Sequence, residues 1–301
     1  MVKNYLLAWI SSFRLKTLPL ALSSIFIGNA LAYWNGLFQW SIFTFTFLTA
    51  SLLQILSNLA NDYGDATKGL DLQTRLGPKR GIHQGILTAS QLRFAIIINI
   101  ILCVFSGYLL LIIASQSLIE LIGFIGLGGL AIIAAITYTI GHKPYGYLGL
   151  GDLSVLIFFG LVGVLGSYYL QTGDINSSLF LPALGCGLLI VTVLNMNNLR
   201  DYENDKAGNK NTLIVLIGVQ LGKYYHCALL ITGLLFFTLF SLYYLHTIYS
   251  WLFIITLPFV YQHLKKIVCA STSIQFRDQF IVTIQLSLLI NTLYGLGIIL
   301  S

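Results

Sequence analysis

Two short acidic segments carry the residue types of a divalent-metal site. The first reads Asn58-Leu-Ala-Asn61-Asp62-Tyr-Gly-Asp65 and the second Asn197-Asn198-Leu-Arg200-Asp201-Tyr-Glu-Asn-Asp205. Asn58 to Asn197 and Asp62 to Asp201 share one offset (197 − 58 = 201 − 62 = 139), so a single design occurs twice. Asn58, Asp62 and Asp65 fall at i, i+4 and i+7; Asn197, Asp201 and Asp205 fall at i, i+4 and i+8. Both sets therefore project from one face of a helix. Each face offers two carboxylates and an amide oxygen, hard ligands suited to Mg2+. A single loop Asp is more often a helix end meeting water. Here five of the chain's 10 acidic residues gather in two matched segments, which favours the metal.

Basic residues accompany both segments. Lys68, Lys79 and Arg80 follow the first, while Arg200 and Lys210 flank the second. Mg2+ is commonly held by one or two carboxylates together with substrate phosphates. Lys and Arg would neutralise the charge that remains. Neither a GxxxxGK[ST] loop nor a GxGxxG turn is present, so a nucleotide is not indicated. A lipid diphosphate fits better, its head at the mouth of the site and its tail among the helices. Tyr138, Tyr145, Tyr147, Phe158, Phe159, Tyr168 and Tyr169 cluster further along. They read either as interfacial aromatics or as an electron-rich wall facing a developing carbocation. The five His are dispersed, with no HExxH and no ligand pair expected, and hence no zinc. Four scattered Cys lack CxxC spacing and read as apolar filling.

The elements that must position these residues are membrane spans. Of 301 residues 57% are hydrophobic and 9% charged, with a mean hydropathy of +0.85. A soluble domain carries roughly a quarter charged residues. Nine apolar stretches of helical length follow at about 17–33, 40–62, 94–115, 118–140, 153–171, 179–199, 223–246, 248–264 and 279–300. With nine spans, all 16 Lys and Arg fall on one side of the membrane. The positive-inside rule makes that side cytoplasmic, with the N-terminus inside and the C-terminus outside. The net charge of +6 is then topogenic and is no nucleic-acid signal. Residues 1–16 read as an interfacial lead-in, not as a removable signal. The two acidic segments open the long loops after spans 2 and 6, equivalent places in a four-helix plus four-helix repeat. The expected fold is an all-α integral membrane protein. Nine helices, two such repeats and a last helix, surround a central cavity in one domain of residues 1–301.

Five stretches resemble one known family. They are Arg14-Leu-Lys16-Thr17-Leu18-Pro19; the first acidic segment through Lys68-Gly69-x-Asp71; Gly77-Pro78-x-Arg80-x-x-x-x-Gly85; Tyr138-Thr-x-Gly141-x-x-Pro144-Tyr145-Gly146-Tyr147-x-Gly149-Leu150-Gly151-Asp152; and the second acidic segment through Lys210-x-Thr212-Leu213. In them the chain resembles the UbiA superfamily of membrane prenyltransferases. Within it, the chain is similar to the branch that prenylates 1,4-dihydroxy-2-naphthoate in menaquinone synthesis. It departs from the family at Asn209-Lys210, where Gly-Lys is common. The resemblance implies transfer of a polyprenyl group from polyprenyl diphosphate to 1,4-dihydroxy-2-naphthoate, with loss of CO2 and diphosphate, giving a demethylmenaquinone. It implies that Asp62, Asp65, Asp201 and Asp205 hold Mg2+, with Asn58 and Asn197 adding ligands or orienting the carboxylates. Tyr138 joins the four Asp as a catalytic candidate. Lys68, Arg80 and Lys210 would stabilise the leaving diphosphate. Asn61, Lys79, Lys143, Tyr145 and Arg200 complete the substrate-binding set. The resemblance also implies a multi-pass protein of the bacterial inner membrane with its active face cytoplasmic. Another aromatic acceptor, such as 4-hydroxybenzoate or a porphyrin, stays open. A secondary transporter is the competing class, since transporters also carry internal repeats.

Overall fold

A computed structural model describes residues 2–15, 17–68, 80–82 and 84–301. Among the described residues every regular element is helical. Long apolar runs leave the backbone no partner in lipid but itself, and helices satisfy it within the segment. After an N-terminal α1 (Val2–Phe13) come α2 (Leu18–Trp34), α3 (Trp40–Thr67), α4 (Ala89–Ala114) and α5 (Leu118–Thr137). The fifth span, Gly151–Thr172, joins α6 (Gly151–Val155), a π-helical stretch Leu156–Gly166 and α7 (Ser167–Thr172). Then follow α8 (Phe180–Arg200), short α9 (Tyr202–Ala207) and α10 (Leu213–Ile217), α11 (Val219–Tyr244), α12 (Leu257–Cys269) and α13 (Ser273–Ile299). Among the described residues eight spans have 20 to 28 residues, enough to cross a bilayer, and α1 and α2 taken together make a candidate ninth.

Local signals set the boundaries. Pro19 sits in the first turn of α2, where its missing N–H costs nothing. Thr88 with Gln91 and Thr272 with Gln275 form capping boxes that start α4 and α13. Both helices begin earlier than the apolar runs indicated, at residues 89 and 273 instead of 94 and 279. The hydroxyl and amide caps satisfy polar N-terminal turns that hydropathy alone treats as loop. Likewise α3 continues to Thr67, so Asn58, Asp62 and Asp65 lie within one helix. The second segment differs. The helix α8 stops at Arg200, and Asp201 (φ −94°, ψ 8°) turns the chain into α9, which holds Asp205. The i to i−4 pattern still bridges the bend, with Asp201 N to Asn197 O at 3.0 Å and Asp205 N to Asp201 O at 2.8 Å. Asp205 thus leaves the single helical face expected from its spacing.

Packing does not divide at the repeat boundary. One core joins Ala8 of α1 and Leu56 and Leu59 of α3 to Leu92, Ile96 and Cys103 of α4. A larger one gathers α2 with α8, α11, α13 and the π-helical stretch. The first span therefore closes on the last, where Asn291 of α13 donates to Ser23 of α2 at 3.0 Å. Backbones approach closely where side chains are missing. A Cβ on Gly160 would lie 3.0 Å from Gly187 Cα, so the π-helical stretch rests directly on α8. At the end of the bundle remote from the acidic segments, Gln171 donates to Asn29 at 2.6 Å and accepts from the Gln39 backbone at 2.8 Å. Tyr168 accepts there from Asn35, and Tyr169 donates to Glu120. These two tyrosines are therefore far from the site whose aromatic wall they were expected to join.

The histidines also correct the sequence reading. His226 of α11 and His263 of α12 meet with Nε2 atoms 3.0 Å apart, their Nδ1 atoms facing Asn195 (3.0 Å) and Gln279 (3.1 Å). Residues 37 positions apart (263 − 226 = 37) on adjoining antiparallel helices become neighbours, which linear spacing does not reveal.

Candidate active site

The first acidic face is carried by α3. Asp62 is fully buried, and its Oδ1 accepts from Arg14 Nη2 at 3.0 Å and from Arg80 Nη1. Its Oδ2 is enclosed without a hydrogen-bond partner. Three positions on, Asp65 accepts from the Tyr147 hydroxyl at 2.8 Å. Asn58 donates to the Phe13 carbonyl at the end of α1 (3.0 Å) and accepts from Gln54, so its amide anchors α1 to α3. Asn61 accepts from Thr139 Oγ1 at 3.2 Å. Thr139 also bonds the Ala60 carbonyl, and a Cβ on Gly64 would lie only 2.7 Å from its hydroxyl. Gly64 thus lets the loop after α5 lie flat on the acidic helix.

That loop brings the aromatic residues. Tyr138 packs edge-on to Tyr145 with ring centroids 5.2 Å apart. The Tyr145 hydroxyl lies 2.9 Å from the Ala134 carbonyl and 3.0 Å from Ser154 Oγ. Burial, and after it the field of Asp152, hold the Tyr138 phenol above its usual range, so it stays a proton donor. Burial also raises the Tyr145 phenol. Lys143 is exposed on this loop and pairs with none of the four Asp.

On the second segment, Arg200 grips Asp201 through Nε (2.8 Å) and Nη2 (2.5 Å) and donates to Asn197 Oδ1 at 2.7 Å. The two-pronged geometry suits guanidinium against carboxylate. Its guanidinium also lies 4.7 Å from the Phe280 ring centre. Asp205 on α9 is 3.8 Å from Lys210 Nζ.

Tyr147 joins the two segments. Its hydroxyl holds Asp65, while Lys68 Nζ lies 4.3 Å and Lys210 Nζ 5.3 Å from the centre of its ring. Cations over an aromatic face are attracted by the ring quadrupole. Lys68 gives up its proton more readily than an ordinary lysine, chiefly through burial; Asp65 opposes this and the Lys210 charge adds to it. Two ammonium groups are thus held near one ring beside Asp65 and Asp205, an arrangement that suits a polyanion arriving with its own cation. Tyr147→Phe keeps the ring but removes a hydrogen bond to a carboxylate of roughly 1.5–3 kcal/mol. Donor kcat/KM is expected to fall about 10- to 100-fold, measured by steady-state kinetics with varied prenyl diphosphate.

Of the residues singled out from sequence, Asp62, Asp65, Lys68, Arg80, Tyr138, Tyr145, Asp205 and Lys210 come together around this loop. Lys79 lies outside the described residues. Arg14 on Asp62 was not assigned to the site, and Tyr147, read only as one of the aromatic wall, stands between the lysines. Arg14 has a left-handed backbone (φ 53°), which a topogenic charge has no need of. Among the described residues no three His, Cys, Asp or Glu side chains are gathered closely enough to hold a metal by themselves.

Residues 21–277 match the UbiA prenyltransferase family. The chain is 47% identical over 294 residues to 1,4-dihydroxy-2-naphthoate octaprenyltransferase of Escherichia coli (strain K12), covering 98% of this chain and 96% of that protein. It is 46% identical over 310 residues to the protein of the same name from Haemophilus influenzae, covering 100% and 98%. A solved UbiA homolog from Aeropyrum pernix K1 superposes with a TM-score of 0.67 at 15% identity, over 93% of this chain and 97% of that one. Another, from Archaeoglobus fulgidus bound to DMAPP and Mg2+, gives 0.61 at 12% identity, over 97% and 98%. Helical bundle, paired acidic segments and sequence agree, and the chain belongs to the UbiA prenyltransferase family.

Proposed function

We propose that the protein transfers a polyprenyl group from polyprenyl diphosphate to 1,4-dihydroxy-2-naphthoate, releasing CO2 and diphosphate and giving a demethylmenaquinol, the two-electron-reduced form of a demethylmenaquinone. The observation that carries this reading is the meeting of both acidic segments at Tyr147, between Lys68 and Lys210. The identity to octaprenyltransferases over nearly the whole chain supports the choice of acceptor. The residues fit Mg2+ delivered with its diphosphate. All four Asp present hard oxygen donors, and the enclosed Oδ2 of Asp62 is a donor atom lacking a partner. Mg2+ seldom needs an all-protein cage, so two pairs of carboxylates without a closed cluster suit an ion that arrives bound to phosphate. Such an ion supplies Lewis acidity to the departing diphosphate.

The chain's own groups do the rest. Lys68, Lys210 and Arg80 stabilise negative charge as the carbon–oxygen bond breaks. Arg14 and Arg80 hold Asp62 in place, and Arg200 holds Asp201. Tyr138 and Tyr145 would offer ring faces to an allylic cation and keep water from it. The protein works as one domain in the bacterial cytoplasmic membrane, its basic and acidic end facing the cytoplasm.

The test is direct. Purified protein is incubated with polyprenyl diphosphate, Mg2+ and either 1,4-dihydroxy-2-naphthoate or 4-hydroxybenzoate, and products are identified by mass. The expected product is prenylated naphthoate less CO2, and chelation of the metal abolishes it. Product from 4-hydroxybenzoate alone would reassign the acceptor.

A further inference from the structure

Among the described residues five Asp are buried, and four of them belong to the two acidic segments. The fifth is Asp152, 6% exposed, in the first turn of α6. Its Oδ1 is enclosed with no hydrogen-bond partner. A buried carboxylate oxygen left bare is costly, more so than a bare hydroxyl or amide. Such an atom in a family member with two substrates points to a hydrogen-bond donor that arrives with one of them.

The surroundings say which one. Among the described residues Asp152 has no Lys or Arg partner, unlike Asp62, Asp201 and Asp205. Its titratable neighbours are two phenols. The Tyr225 hydroxyl, from α11, lies beside the carboxylate and interacts with it. Tyr138 lies on the other side: a Cβ on Gly151 would sit 2.8 Å from its hydroxyl and 3.3 Å from Leu194 of α8. The absence of a side chain at Gly151 leaves the Tyr138 hydroxyl open toward the start of α6. On its other side a Cβ on Gly146 would lie 2.9 Å from the Tyr138 ring, and the next residue, Tyr147, holds Asp65. Tyr138 therefore stands between the start of α6, with Asp152, and the residue that carries Asp65, Lys68 and Lys210. An anionic diphosphate belongs on the lysine side. A neutral acidic hydroxyl belongs on the other.

We propose that Asp152 receives the aromatic acceptor, its bare Oδ1 taking the phenolic proton of the dihydroxynaphthoate ring as that ring attacks, with Tyr225 positioning the carboxylate. This rests on the acceptor assigned above. The phenolic O–H electrons enrich the ring, and the ring carbon that bears the carboxylate forms a bond to the allylic carbon. The allylic C–O bond breaks, its electron pair leaving on diphosphate. The ring carboxylate departs as CO2 and its bond electrons restore aromaticity. Asp152 then returns the proton to the product oxygen, so the step consumes and releases no net proton.

The test compares wild type, Asp152→Asn, Asp152→Glu and Tyr225→Phe in detergent with Mg2+, a polyprenyl diphosphate and 1,4-dihydroxy-2-naphthoate. Asp152→Asn should lower acceptor turnover by roughly 100- to 10,000-fold, as loss of a general base does. Its Mg2+-dependent affinity for the prenyl diphosphate should stay within about twofold of wild type. Its rate should climb as pH approaches the phenol's own ionisation, near pH ~10, because hydroxide then does the work of the lost base. Asp152→Glu should recover part of the rate. Acceptor turnover in Asp152→Asn close to wild type, or a deficit unmoved by pH, would overturn the assignment. Should Asp152→Asn not fold, Tyr225→Phe decides alone. It should lose acceptor turnover with donor affinity unchanged, and no loss, or equal loss in both, overturns it. If wild type gives no product from this acceptor, the functional reading falls and this inference with it. If wild type and Asp152→Asn both give product at similar rates, only the inference falls.

Discussion

Asp62→Asn is expected to reduce prenyl transfer by at least ~1,000-fold, the upper range for losing one preorganised charge-stabilising group. The same change should measurably lower the thermal unfolding temperature in detergent. Asp62 is fully buried and answers two guanidinium groups, Arg14 and Arg80. Removing one side of a buried ion pair leaves the other uncompensated, at about 3–5 kcal/mol. Asp201→Asn offers a contrast. Arg200 retains Asn197 Oδ1 and the Phe280 ring after that change. The structural cost should therefore be smaller than for Asp62→Asn while transfer is lost to a similar degree. Product mass spectrometry and thermal unfolding on the same samples separate the two effects. Full turnover by either variant would remove the metal-site argument.

Gly28→Val is expected to destabilise the bundle by more than ~3 kcal/mol, above the usual range for overpacking. A Cβ at this position would lie 2.0 Å from Ser167 Oγ and 2.3 Å from the Val164 carbonyl oxygen. The serine could rotate away; the backbone carbonyl cannot, because it belongs to the π-helical stretch packed on α8. Either α2 or the fifth span must move. Gly126 in α5 is the control, since a Cβ there meets nothing within 4 Å. Gly126→Ala should match wild type or gain slightly, by up to ~1 kcal/mol of helix propensity. Yield of monodisperse protein and its unfolding temperature are the measurements. A Gly28→Val protein as stable as wild type would refute the tight crossing.

The spans were legible because hydropathy is a one-dimensional signal. The acidic residues were legible because one spacing occurs twice. What linear spacing could not carry was where each side chain finds its partner. Asn58 was read from its spacing alone, which gave no sign that its amide also ties α1 to α3. Arg14 looked topogenic and instead holds Asp62. Asp205 kept its helical offset but lies past a bend at Asp201, which no Pro or Gly announces. His226 and His263 looked unrelated because their meeting depends on how α11 and α12 pack. Apart from that local bend, each miss turns on a contact between elements distant in the chain, which composition and period leave undetermined.

Helix α3 also works as a depth gauge. Trp40 at its start is 73% exposed and suits the lipid–water boundary of the far leaflet. At about 1.5 Å per residue, Asn58 stands about 27 Å further along the axis, Asp62 about 33 Å and Asp65 about 38 Å. The hydrocarbon layer is about 30 Å thick. With α3 along the bilayer normal, the carboxylates would be level with the phosphate heads of the near leaflet. A lipid pyrophosphate drifting sideways among its neighbours meets them at its own height. Capture is then a search in two dimensions, with no lipid to be hauled out of the bilayer before reaction.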